Sequence, residues 1–198
     1  YLAMVNFLVV NGADVNLTES CGKTALELSK TDEIWEYLKP KTNNINKNNA
    51  FINSVKRGNL EHIKYFLADG ADANTRLGDT ALMVAVKNGY FETTKYLIEN
   101  GADVNLGKSV LVAASARGYF DIVKLLVENG ADIKNSTALV SASKNGHFEI
   151  VKYLVEQGAD INAEEMWCTV HSDARMRNAL EWASANGHFE VVKYLVEH

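Results

Sequence analysis

The side chains able to do chemistry gather in one stretch, residues 163–177, where Cys168, His171 and Asp173 follow Glu164 and Glu165. A cysteine nucleophile needs a base within hydrogen-bond reach and a third group to orient that base. Spacing along an irregular connector supplies neither. Zinc is no better served, because Cys-x-x-His offers two ligands of the usual four. Gly107-Lys108-Ser109 ends like a phosphate-binding loop, but the earlier glycine is absent and no strand pattern leads into it. No catalytic residue, metal site or cofactor is therefore assigned. What remains is a set of cations one or two residues before a glycine: Lys56 and Arg57, Lys87, Arg117 and Lys144. Their meaning depends on the elements that carry them.

Those elements belong to an ordinary globular composition. Of 198 residues, 47% are hydrophobic and 23% charged, which is enough apolar content to bury a core and too much for a disordered chain. A net charge of -5 is mild for this length and selects no class of partner. Cys21 and Cys168 form no framework of spacings, which favours a reducing, intracellular setting over a disulfide-built domain. Every hydrophobic run is broken by Asn, Gly, Asp or Lys well short of the roughly 20 residues needed to span a membrane. The apolar start, Tyr1 to Val10, lacks the basic leader of a signal peptide.

Self-similarity organises the rest. Gly-Ala-Asp recurs at 12, 70, 101, 130 and 158, in steps of 58, 31, 29 and 28 residues, the first step being close to two units. Before each triplet runs the same apolar-periodic segment, as in Phe148 to Glu156. There Ile150, Val151, Leu154 and Val155 form one helical stripe, with Glu149 and Lys152 opposite. The glycine that follows suits the left-handed residue closing a helix. A shorter helical segment precedes each of these, opening on Thr80, Ser109 or Thr137 as N-cap and closing on Gly89, Gly118 or Gly146. Small residues, Ala85, Ala114 and Ala142, occupy the centres, where they allow close approach. Each unit is thus a helix, a tight glycine turn and a second helix. Acidic and lysine neighbours such as Asp121 and Lys124 mark a solvated face worth only tenths of a kcal/mol per pair.

A unit reading Thr-Ala-Leu, small residues, Gly-His-Phe-Glu-Val-Val-Lys-Tyr-Leu-Val-Glu and Gly-Ala-Asp resembles the ankyrin repeat family over nearly the whole chain. The resemblance implies an all-α solenoid of stacked helix-turn-helix units. The β-hairpin fingers are expected to be shortened or missing, since the connectors shrink from seven residues (17–23) to five (75–79), three (106–108) and two (135–136). The connector at 163–177 is enlarged instead. Residues 1–39 read as a partial repeat plus a degenerate one with a short second helix around Ile34, Trp35 and Leu38. A polar break at 40–48 contains the chain's single proline, Pro40. Residues 49–198 read as about five repeats, with both ends of the chain looking cut. The family's Thr-Pro-Leu-His signature lacks its His, which is replaced by Glu27, Met83, Val112, Val140 and Glu181. His147 and His188, which open second helices, match a structural position of the family.

The function implied is a non-catalytic scaffold that binds a partner protein or peptide in the concave groove of the stack. In register, Lys56, Arg57, Lys87, Arg117 and Lys144 become one basic row suited to an acidic partner, with Met83, Val112 and Val140 as an apolar floor and Trp167 contributing at one end. A structural spacer is the alternative, as is nucleic-acid binding through the basic groove, although no dense basic cluster interleaved with aromatics supports the latter. No small-molecule substrate, cofactor or membrane insertion is expected. The location implied is cytoplasmic, or a host cytoplasm if the chain is of viral or intracellular bacterial origin.

Overall fold

In this computed structural model, the description covers residues 2–14, 25, 32–38, 47–107, 109–134, 137–167 and 175–198, excepting the side chains at 32, 35, 47, 165–167, 175 and 176. These fall into two units, Tyr1–Leu77 and Gly78–His198. The expected break at 40–48, and Cys168 and His171 with it, lie outside the described residues, apart from the start of a helix at 47.

The first unit holds α1 (Leu2–Val10), α2 (Asp32–Leu38), α3 (Lys47–Arg57), α4 (Leu60–Ala68) and the two-residue β1 (Arg76–Leu77). Helix α1 ends as its Gly-Ala-Asp predicts: Gly12 takes φ 87°, and the amides of Gly12 and Ala13 donate to Val9 O and Leu8 O. Tyr37 on α2 donates to the Asn6 side chain of α1. Helices α3 and α4 form one pair around Phe51, Ile52, Val55, Ile63 and Phe66, all buried. Asn59 separates them and caps α4 by accepting from the His62 amide at 3.1 Å.

The second unit repeats one pattern four times: α5 (Ala81–Lys87) with α6 (Phe91–Glu99), α7 (Val110–Arg117) with α8 (Phe120–Glu128), α9 (Ala138–Lys144) with α10 (Phe148–Glu156), and α11 (Ala179–Ala185) with α12 (Phe189–Glu197). The first helices α5, α7, α9 and α11 neighbour one another in sequence order, and so do the second helices. The second helices bury the predicted stripe: Ile122, Val123 and Leu126 on α8, then Ile150, Val151 and Leu154 on α10. Val155 lies at the stripe's margin, half-buried. Each of these fully buried side chains contributes about 1.5–3 kcal/mol by leaving water. Phe120 meets Tyr153 edge-to-face at 5.7 Å, and Phe148 meets Tyr194 at 5.8 Å, so aromatic contacts run from α8 to α10 and from α10 to α12.

Helix ends in this unit close alike. The amide of the residue after the glycine reaches back to the carbonyl five residues earlier, as Ala131 does to Leu126 and His147 to Ala142, both at 3.0 Å. Orphan carbonyls of the last turn are satisfied in this way. The aspartate of Gly-Ala-Asp then accepts from the amide two residues on, Asp103 from Asn105 and Asp160 from Asn162, shaping the connector. Asn105 continues across to the next repeat, where its amide side chain donates to Gly130 O and accepts from the Asp132 amide, each at 2.9 Å.

Helix starts differ from one another. Thr80 Oγ1 accepts from Met83 N and Ser109 Oγ from Val112 N, as predicted. Thr137 makes no such bond: its ψ of 25° is not the extended value that turns a hydroxyl back over the first turn. Asn178 with Glu181 forms a reciprocal capping box, a role for one of the residues standing in for the missing His. Strand content in the unit is confined, among the described residues, to β2 (Asp79–Thr80) and to β3 (Glu164–Trp167) paired antiparallel with β4 (Arg175–Asn178). The connector at 163–177, expected to be irregular, is therefore a hairpin at its two ends. Its register sets Glu165 opposite Arg177 and Trp167 opposite Arg175.

Candidate functional site

The first helices of the second unit, laid side by side in register, define the candidate surface. One position reads Met83, Val112, Val140, Glu181; the next reads Val84, Ala113, Ser141, Trp182; a turn further on come Lys87, Ala116, Lys144, Ala185. Of the expected apolar floor, Met83 is 3% exposed and Val140 0%, so both are core residues that a partner cannot touch. Their helices pack close enough to swallow a side chain at this position. Only Val112 of the three keeps accessible surface.

The cations are not equivalent either. Lys87 Nζ forms a half-buried ion pair with Asp79 on β2, which neutralises it in place. Arg117 is exposed, and its Nη1 donates to Ala113 O at 3.3 Å, laying the guanidinium back along its own helix. Lys144 Nζ sits 4.0 Å from the centre of the Trp182 ring, and Arg177 Cζ lies 5.0 Å from the same ring. A cation over a tryptophan face gains about 0.5–2 kcal/mol, more where water is excluded, and Trp182 is itself buried. Lys56 and Arg57 close α3 in the first unit, both exposed. Trp167 belongs to β3, and its side chain is outside the description.

The same helix ends are tied to the following repeat. His147 Nε2 contacts Ala116 O at 3.3 Å, and His188 Nε2 contacts Lys144 O at 3.0 Å, where the ring nitrogen must be the protonated one to donate. Asn186 Nδ2 donates to that same Lys144 carbonyl at 2.9 Å. Both histidines also cover the glycine of the preceding repeat: a Cβ on Gly118 would stand 2.7 Å from the His147 ring, and one on Gly146 2.5 Å from that of His188. Tyr119 covers Gly89 in the same way. These histidines are structural clasps between repeats.

Of the residues that the sequence singles out, Arg117, Lys144 and Val112 keep accessible surface, whereas Trp182, Arg177 and Asp79, which surround these cations, were not singled out. Trp182 was legible in principle, as the one aromatic in a register otherwise holding Val84, Ala113 and Ser141. Asp79 and Arg177 stand outside the helices, where repeat periodicity carries no information. Among the described residues no cluster of His, Cys, Asp or Glu could hold a metal ion, and no helix is long and apolar enough to cross a membrane.

Paired helices stacked by nearest-neighbour contacts define a helical repeat protein of the solenoid class. The family described as Ankyrin repeats (3 copies) matches residues 28–108 and 105–165, and that described as Ankyrin repeats (many copies) matches 139–196. The chain belongs to the ankyrin repeat family, an all-α fold. Ankyrin repeats are generally protein–protein interaction modules and typically non-catalytic. No curated protein matches the chain.

Proposed function

We propose that this protein is a non-catalytic scaffold whose second unit holds an acidic segment of a partner protein along the row α5, α7, α9 and α11. The observation that carries the reading is the pair of cations on adjacent first helices, Arg117 on α7 and Lys144 on α9, the latter steadied against Trp182. Preorganised side chains lose little freedom on binding, and a positive patch on a mildly acidic chain favours acidic partners while repelling basic ones. Lys87 contributes less than its position suggests, because Asp79 already answers its charge. Lys56 and Arg57 offer the same kind of contact in the first unit. Action in the cytoplasm is part of this proposal.

The test uses Arg117→Glu and Lys144→Glu against Lys124→Glu, which alters an exposed second-helix lysine 3.9 Å from Glu128. With the captured partner, each of the first two changes is expected to weaken binding by about tenfold or more, as loss of a charged contact does, and added salt to weaken the unaltered complex. Equal loss from Lys124→Glu, or indifference to salt, would end the reading.

A further inference from the structure

We infer that α7 carries a recess for one apolar side chain of the bound segment, and that the recognised motif is an apolar residue followed about three residues away by an acidic one. The inference rests on the proposed binding face and adds the chemistry of the occupant. Along α5 every residue except Lys87 is buried, and along α9 every residue except Lys144. Helix α7 differs: Val112, Ala113, Ala116 and Arg117 all remain accessible. They are two i,i+4 pairs, Val112 with Ala116 and Ala113 with Arg117, and therefore share one face.

Small side chains mark the opening. In the register where α5 has Val84, α9 has Ser141 and α11 has the large Trp182, α7 has Ala113. One turn on, Ala116 stands between Lys87 and Lys144. The result is an accessible apolar strip on α7 with a cation on each flanking helix and the Arg117 fork at its end. The two flanks are unequal, since Asp79 neutralises Lys87 while Lys144 lies on an uncharged ring. An apolar side chain seated on Val112, Ala113 and Ala116 thus has its favoured acidic neighbour on the α9 side, near Lys144 and Arg117. Neighbouring helices are about 8–10 Å apart and an extended chain advances about 3.3 Å per residue, which sets the spacing at about three.

The experiment pans a displayed library of random dodecapeptides on the full chain and measures the recovered peptides by fluorescence polarisation. Enrichment of Leu, Ile, Met or Phe with Asp or Glu three residues away is expected. Recovery of peptides without that pair, or none above background, overturns the inference. Ala113→Trp, which places at this register the residue found at 182, is expected to fill the recess and weaken the peptides by about tenfold, with its helical circular dichroism unchanged. Ala116→Leu gives a second, smaller filling of the same recess. If both leave affinity unaltered while Lys144→Glu removes it, the recess is wrong and the basic face stands. If the charge changes are also silent, the face itself is wrong.

Discussion

A methyl group added at Gly146 would meet Nδ1 of His188 at 2.5 Å on backbone with φ 72°, whereas at Gly158, with φ 89°, it would meet nothing within 4 Å. The two glycines therefore separate two costs of the same substitution. Gly158→Ala carries only the left-handed strain of a Cβ, about 1–2 kcal/mol. Gly146→Ala adds displacement of a ring that holds a carbonyl of the preceding repeat, and is expected to cost at least about 1 kcal/mol more. Urea unfolding of both variants checks this, and equal losses would show that the clasp is soft. Leu126 belongs to the other kind of residue, fully buried on one stripe. Leu126→Ala is expected to destabilise by about 2–5 kcal/mol in the same measurement. A loss below about 0.5 kcal/mol, the level of a surface change, would contradict its burial.

The elements differ more at their starts than at their ends. Asn178 with Glu181 answers two amides at the start of α11, its own and that of Glu181, while the Thr137 side chain answers none on α9. Asn178→Ala is accordingly expected to cost about 1 kcal/mol and Thr137→Ala close to nothing, as read from the shift in unfolding midpoint. The helices were legible because two signals agree in most repeats, a 3.6-residue apolar period and a closing glycine. The Thr137 cap was not, because a hydroxyl before a helix says only that a cap is available, and backbone torsion decides whether it forms. The hairpin at 164–178 was hidden for a related reason: Glu164 to Trp167 does not alternate cleanly between apolar and polar. Met83 and Val140 were misjudged as floor because register tells which positions line up, while depth depends on the bulk of neighbours in adjacent helices.

Within the second unit, cohesion comes from one repeat touching the next. Asn105 reaches Gly130 and Asp132, His147 reaches Ala116, and His188 reaches Lys144. Removing one whole repeat, residues 109–136, would bring Gly89 under His147 in place of Tyr119, an arrangement equivalent to Gly118 under His147. This deletion is expected to retain helical circular dichroism and a cooperative transition, since neighbours remain matched. Loss of cooperativity would show that Tyr119 and His147 are not interchangeable. The basic face was legible as a row of positions, but its charge balance was not, because Asp79 and Arg177 reach it from strands outside the repeated helices.

The clasp of ring over glycine also bears on how the stack meets force. Each clasp spans only the boundary between one repeat and the next, so tension along the stack is borne by every boundary in series, and a terminal repeat, held by a neighbour on one side only, is expected to yield first. The terminal pair of helices is expected to peel away while the pair behind it keeps its own ring over its glycine. Extension then proceeds in steps, each releasing one repeat's contour, roughly 100 Å for about 28 residues. A molecule built this way is expected to behave under load as a row of small catches, visible as a sawtooth in single-molecule extension; one smooth release of the whole unit would contradict this.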